Sequence, residues 1–151
     1  DKAQEALLDE ELAKAGKAGG DLGGGSLGAV IAAKFLPTDV CEQQVIVRQP
    51  METVLTKVAS FVASEGRPAS NEGAGYSPFP KLTGVLKAGF LNANRAVVHV
   101  EALIATDHAC TVRIRGASKE SVSLQRIAQG AVEQVIKFLQ SLGAQVVGRC
   151  A

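Results

Sequence analysis

Three consecutive segments in the second half of the sequence alternate between apolar and polar residues. Their even-numbered positions are mostly apolar: Gly84, Leu86, Ala88 and Phe90, then Val98, Val100, Ala102 and Ile104, then Cys110, Val112 and Ile114. Because successive side chains of a strand point to opposite faces of a sheet, this shared parity gives all three strands one buried face. The pattern therefore predicts an antiparallel meander of strands 81–90, 95–105 and 109–116.

The odd-numbered positions of these strands form a cationic face. Five are basic and one is acidic, namely Lys81, Lys87, Arg95, Arg113 and Arg115 against Glu101. A three-residue turn at Thr106–His108 would pair residue 104 with 110, 101 with 113, and 99 with 115. Three interpretations of this face stay open. It is exposed to solvent, it binds an anionic partner with help from Arg48, or it is covered by a helix from this chain's N-terminus or from another chain.

Helical periodicity follows in two other segments. The first begins at Pro50, placed at the first helical position, and stops at Gly66. The second follows the serine-rich entry Ser118–Ser121 and stops at Gly143. Because the β-branched run Glu42–Arg48 precedes the first helix, the element order is β-α-β-β-β-α. Gln145–Gly148 is then either a short final strand or a tail.

This order predicts an α+β fold: an antiparallel sheet meander with two helices packed on one face. It resembles the TATA-binding-protein-like (TBP-like) and helix-grip architectures over roughly residues 42–142. The resemblance implies the architecture alone and transfers no functional residue.

A separate N-terminal part precedes this domain. Residues 2–15 are rich in Ala, Leu, Glu and Lys and favour a helix, and Gly16–Gly25 contains six glycines in ten residues, as in a flexible linker. We therefore divide the chain into residues 1–25, a flexible helical extension and its linker, and residues 26–151, the α+β domain. The thin apolar stripe of the helix predicts loose docking or an oligomer contact.

Composition narrows the classes of partner. The net charge of +1 divides into −3 for residues 1–25 and +4 for the remainder, which is too modest for a dedicated nucleic-acid binder. No aromatic residues interleave with the basic face, which also argues against single-stranded nucleic acid. The longest uncharged apolar stretch, Ser26–Ala33, is too short to span a membrane.

The three cysteines, Cys41, Cys110 and Cys150, lack metal-ligand spacing. Cys110 lies on the apolar face and is interpreted as a small buried hydrophobe. The odd count favours a reducing, cytoplasmic compartment, while a bridge between Cys41 and Cys150 stays open.

Two regions are candidate binding sites. One is the cationic face; the other lies between the apolar face and the terminal helix, where small residues permit either close packing or a pocket: Gly84, Ala88, Ala96, Ala102, Cys110, Ala128 and Ala131. The irregular segment 67–80 would form the mouth of that pocket. The candidate ligand-binding residues are Tyr76, Phe79, Lys81, Lys87, His99, Arg113 and Arg115.

The polar residues do not indicate catalysis. His99, Glu101, Asp107 and His108 lack the spacing of a metal site, and no nucleophile elbow lies near them. The sequence therefore predicts a non-enzymatic binding domain without catalytic residues, metal or cofactor. We expect a small hydrophobic or anionic ligand between the sheet and the C-terminal helix; the alternative is a protein-interaction or oligomerisation domain that uses the cationic face.

Overall fold

The computed structural model describes residues 2, 4–10, 38–69, 78–88, 94–119 and 126–148. Residues 4–10 are helical (α1). The elements that follow are β1 (Thr38–Val47), α2 (Met51–Glu65), β2 (Gly66–Ala69), β3 (Lys81–Ala88), β4 (Asn94–Ala105), β5 (Cys110–Lys119), α3 (Ile127–Ser141) and β6 (Gln145–Val146). The strands form one antiparallel sheet in the order β2-β3-β4-β5-β1-β6. The predicted α+β class is confirmed.

Helices α2 and α3 pack on the apolar face of the sheet, as the parity of the strands predicts. Val98, Val100, Val112 and Ile114 are at most 1% exposed and share one core with both helices. Burial of these aliphatic side chains is the main force that holds the three elements together.

Several element boundaries differ from the prediction, and β1 begins at Thr38 rather than at Glu42. Pro50 precedes α2 as its N-cap, and its carbonyl accepts a 3.1 Å hydrogen bond from the Val54 N–H. The serines predicted to start the terminal helix do not all do so, because β5 runs through Ser118 and pairs with β1 as far as Thr38 opposite Lys119. Two short edge strands, β2 and β6, extend the predicted order, and β2 occupies the start of the segment predicted to be irregular.

The hairpin between β4 and β5 differs in register from the prediction. Its turn spans four residues, with the Thr106 N–H donating to the Ala109 carbonyl at 2.8 Å. The predicted pairing of 104 with 110 is therefore wrong: Ile104 lies opposite Thr111, and a bulge after Ala102 absorbs the extra residue. The predicted burial of Ile104 is wrong for the same reason, because the bulge turns its side chain to the other face of the sheet, where it is exposed. Beyond the bulge, the predicted pairings of 101 with 113 and of 99 with 115 are confirmed.

The N-terminal helix α1 lies on the other face of the sheet. Leu8 is 2% exposed and packs with Val85, Val97 and Ala117, one residue from each of β3, β4 and β5. Part of the cationic face is therefore covered by the chain's own N-terminus, which was one of the three fates open from the sequence.

Cys41 is disulfide-bonded, whereas Cys110 is a free, buried thiol. Cys150 is the one cysteine of the sequence left as a partner for Cys41, and it lies outside the described residues. Disulfides are typical of oxidising compartments, so this bond does not support the cytoplasmic assignment, which stays a prediction. None of the described helices is long and apolar enough to cross a membrane.

Candidate anion site on the polar face of the sheet

The face of the sheet opposite α2 and α3, here called the polar face, carries two adjacent rows of polar residues across four strands. From β1 to β3, the first row is Glu42, Arg115, His99 and Thr83. The second row is Gln44, Arg113, Glu101 and Lys81. Residues two apart on one strand are about 7 Å apart, so the two rows lie within reach of each other's side chains.

These rows enclose a cavity of about 200 Å³, here called the charged cavity. Its lining residues are Glu42, Lys81, His99, Glu101, Arg113 and Arg115. Four of the seven predicted ligand-binding residues, Lys81, His99, Arg113 and Arg115, are thus brought together.

Of the other three predicted residues, Phe79 and Lys87 do not line this cavity. Phe79 is 41% exposed beside the start of β3. Lys87 lies at the opposite end of β3 from Lys81 and borders a groove between α2 and α3, where the Phe61 and Phe138 rings stack at 4.6 Å. Tyr76 lies outside the described residues.

Glu101 and Arg113 form an ion pair across β4 and β5. The Arg113 Nε donates to Glu101 Oε2 at 3.1 Å, and its Nη2 contacts the same oxygen. Donating hydrogen bonds to this carboxylate raises the pKa of Arg113 above its ordinary value. Arg113 is therefore already satisfied by a protein partner, and its charge is largely balanced inside the cavity.

His99 is held in a fixed orientation and in the neutral form. It is 7% exposed, and its Nδ1 lies 2.9 Å from the Thr83 hydroxyl, which is also buried. Burial, together with the positive charges of Lys81 and Arg115, lowers the pKa of His99 from 6.5 to about 4. When the Thr83 hydroxyl donates to Nδ1, the ring carries its proton on Nε2.

Two nitrogen atoms of the cavity residues lack hydrogen-bonding partners. The Nε2 of His99 and the Nε of Arg115 are both buried, and neither contacts a donor or acceptor of the described protein. A buried polar atom without a partner costs about 1–3 kcal/mol, and more when the group is charged. Since both residues line the same cavity and lie opposite each other, one acceptor group is placed to satisfy both.

Apolar rows border the charged cavity on both sides. Above it lie Val85, Val97 and Ala117 beneath Leu8 of α1. Below it, Ile46 and Ile104 flank Thr111 and remain 39% and 66% exposed. The site is therefore a charged band between two apolar strips.

Sequence reasoning missed two members of the site, Glu42 and Thr83. Thr83 is not among the predicted site residues, and its pairing with His99 follows from the β3–β4 register. Glu42 pairs with Arg115 because β1 joins β5 with even-numbered residues opposite odd-numbered ones.

The space between the sheet and α3 is closely packed at Gly116. A Cβ atom added there would lie 2.7 Å from the Ala128 carbonyl oxygen and 2.7 Å from a Val132 methyl group. Ala128, Ala131 and Val132 are fully buried. Of the two outcomes that small residues permit, close packing or a pocket, the structure has close packing of helix and strand at this position.

No protein-family model matches the sequence, and a search of curated proteins finds no match. Within the described residues, no group of three or more His, Cys, Asp or Glu side chains is arranged to hold a metal ion. The geometry of the polar face is therefore the basis for the function proposed below.

Proposed function

We propose that this protein binds a small anionic ligand in the charged cavity of the polar face. The observation that carries the proposal is the pair of buried, unpartnered nitrogens, Arg115 Nε and His99 Nε2, on opposite strands of one cavity. An anionic oxygen between them would accept from both, and its negative charge would be attracted to the Arg115 guanidinium. Lys81 adds a third basic group to the lining.

The volume of the cavity favours a small ligand over a polymer. About 200 Å³ holds a compact acid but not a length of nucleic acid, and α1 covers the adjacent part of the face. Of the two ligand classes expected from the sequence, we therefore retain the anionic one. We propose the polar face as its site, rather than the space between the sheet and α3, because α3 packs closely on the sheet at Gly116.

Isothermal titration calorimetry with acetate, nitrate, sulfate and inorganic phosphate tests the proposal. We expect at least one of these anions to bind the wild type at a single site. In Arg115→Gln the affinity should fall by about tenfold or more, which corresponds to the loss of one charge-assisted hydrogen bond. Arg115→Lys keeps the charge but removes the Nε–H, so its affinity should also fall, and circular dichroism checks that both variants are folded.

Lys87→Gln is the matched control, because it removes one positive charge from an exposed position outside the cavity. Its affinity should equal that of the wild type. The proposal is overturned if no anion of the panel binds, or if Lys87→Gln weakens binding as much as Arg115→Gln does. Heparin serves as the polymeric comparison, and we expect no binding to it at physiological salt.

A second candidate function follows from the docking of α1. We propose that the polar face also accepts the α1 helix of a second copy, which would make the protein an oligomerisation domain. The described part of α1 is acidic, with Glu5, Asp9 and Glu10, and Leu8 is its buried anchor. Exchange of identical elements through a linker is a low-cost route to dimers, and Gly16–Gly25 has the composition of such a linker.

Light scattering coupled to size-exclusion chromatography tests this second function. We expect a dimer fraction that rises with protein concentration in the wild type and disappears in Leu8→Glu. A strictly monomeric wild type at high concentration, or a dimer that Leu8→Glu leaves intact, would rule out helix exchange. Neither result bears on the anion site, because Leu8 does not line the charged cavity.

A further inference from the structure

The Thr83 side chain lies between two cross-strand neighbours, and one of them offers it a hydrogen-bond acceptor. On β3, Thr83 is opposite His99 of β4 on one side and opposite Ala69 of β2 on the other. Its hydroxyl oxygen is 2.9 Å from His99 Nδ1, and the residue is 1% exposed. Because the Ala69 side chain has no polar atom and solvent is excluded, His99 Nδ1 is the hydrogen-bonding partner of this hydroxyl among the described residues.

The two neutral forms of His99 differ in how many buried polar atoms they satisfy. Burial lowers the pKa of His99 to about 4, so at pH 7 the ring is neutral and has one N–H, on either Nδ1 or Nε2. With the proton on Nε2, Nδ1 accepts from the Thr83 hydroxyl, and Nε2 alone lacks a partner. With the proton on Nδ1, the Thr83 hydroxyl proton and the Nε2 lone pair would both lack partners. Buried polar atoms without partners are costly, so the first form is favoured.

We infer that Thr83 is a positioning residue of the anion site: its hydroxyl holds the His99 proton on Nε2 and so makes that nitrogen a donor to the ligand. This inference rests on the proposed function and specifies the ligand as a group that accepts hydrogen bonds rather than donates them. Arginine nitrogens are donors only, so Arg115 Nε and His99 Nε2 then present two N–H groups. In the other tautomer, Nε2 would present a lone pair, which repels an anionic oxygen.

The position of Thr83 in the sheet keeps this hydrogen bond in one geometry. Residues directly opposite each other on antiparallel strands have Cβ atoms about 4.5–5.5 Å apart, and branching at Cβ restricts the χ1 angle of threonine. Both side chains are buried, so water does not compete for either atom. His108, at the exposed hairpin turn, has no such enclosure.

Nitrogen-15 NMR of the histidine rings at pH 7, before any anion is added, tests the tautomer. In the wild type we expect His99 Nε2 to have the chemical shift of a protonated ring nitrogen and Nδ1 that of an unprotonated one. His108→Gln assigns the signals, because it removes the other histidine of the sequence. Thr83→Ser keeps the hydroxyl and should keep this pattern. Thr83→Val keeps the shape without the hydroxyl, so the two shifts should move toward each other as the tautomers exchange.

Calorimetric titration with acetate, nitrate, sulfate and inorganic phosphate connects the tautomer to binding. Thr83→Val should weaken anion binding by about tenfold, which corresponds to one hydrogen bond, whereas Thr83→Ser should stay within about threefold of the wild type. Thr111→Val is the matched control, because it removes a hydroxyl from β5 outside the cavity lining. It should change neither the His99 shifts nor the affinity, and circular dichroism checks that every variant is folded.

Three results would overturn the inference while leaving anion binding intact. They are a wild-type proton on Nδ1, an affinity of Thr83→Val equal to that of the wild type, and a loss in Thr83→Ser as large as that in Thr83→Val. The last would show that the shape of the side chain matters rather than its hydroxyl. Failure of every anion to bind the wild type would instead overturn the proposed function, and the shifts would still report the tautomer of His99.

Discussion

His99 and Arg115 show how a single buried atom changes the meaning of a residue. On a solvated sheet face both side chains would be satisfied by water, and neither would point to a ligand. In the structure, the neighbouring strands and their side chains bury the His99 Nε2 and the Arg115 Nε without supplying a partner. The indication of a ligand comes from those two nitrogens rather than from the number of basic residues.

The buried state of His99 predicts a pH-dependent stability. The unfolded histidine binds a proton below about pH 6.5, but the folded one does so only below about pH 4, so the unfolded state binds more protons between these values. The free energy of unfolding should therefore fall as the pH decreases from 6.5 to 4, by on the order of 2 kcal/mol from this residue.

Urea unfolding of wild type and His99→Gln at pH 7 and pH 4.5 measures the effect. The loss of stability on acidification should be smaller in His99→Gln than in the wild type. His108→Gln, which changes an exposed histidine at the hairpin turn, should lose as much as the wild type. Equal losses in all three proteins would contradict the buried, neutral state of His99.

Two glycines near α3 predict opposite effects of the same substitution. Gly116→Ala places a methyl group against the Ala128 carbonyl and Val132, so it should destabilise the protein by about 1–3 kcal/mol. Gly130 lies inside α3, where an added Cβ meets only the Ala88 methyl group at 3.9 Å. Gly130→Ala should therefore stabilise the protein by about 0.5–1 kcal/mol, and thermal unfolding of both variants tests the pair.

At the scale of the elements, β1 connects the two faces of the molecule. Its Glu42 side chain belongs to the charged cavity, while Asp39 accepts a 3.2 Å hydrogen bond from the Ala128 N–H in the first turn of α3. Arg126 precedes α3 at φ 45° and provides no side-chain cap, so a residue distant in sequence fills that role. One strand thus positions both the helix and a wall of the site.

Helix α1 predicts a measurable contribution of the N-terminus to stability. Because Leu8 is buried against Val85, Val97 and Ala117, Leu8→Ala should cost about 2 kcal/mol, at the low end for such substitutions. Glu5→Ala, at an exposed position of the same helix, should change stability by less than about 0.5 kcal/mol. An unchanged thermal midpoint in Leu8→Ala would instead support the loose docking that the thin apolar stripe of this helix predicts.

At the scale of the whole molecule, the sheet separates two different environments. One face is an aliphatic core shared with α2 and α3, and the other combines the charged cavity with the apolar contact of α1. The Cys41 disulfide adds a covalent restraint at β1, the strand that pairs with β5 along its whole length.

The disulfide predicts a redox-dependent stability. Reduction should lower the free energy of unfolding of the wild type by roughly 2–5 kcal/mol, because the unfolded chain loses its cross-link. Cys41→Ser should show no further loss on reduction. A midpoint of unfolding that is independent of dithiothreitol would show that the disulfide does not form in solution.

Burial raises the pKa of Cys110, so this thiol should react slowly with alkylating reagents in the folded state.

The sequence by itself determined the features that depend on neighbours along the chain. As far as Ala102, alternation within β3, β4 and β5 fixes which side chains share a face and brings Glu101 opposite Arg113. Ile104 lies beyond the bulge and is the exception. The helical stripe of α2 and its stop at Gly66 are equally local. These predictions succeeded because strand and helix periods act over a few residues and need no knowledge of distant contacts.

The tertiary structure alone decided which residues from segments distant in sequence contact each other. The face on which Glu42 lies depends on the register in which β1 meets β5, because a shift by one residue sends every side chain of a strand to the opposite face. The docking of Leu8 on the polar face likewise joins residues far apart in the chain. Local alternation assigns the basic residues to one face, but only the packed sheet and helix bury two of their nitrogens around a common cavity.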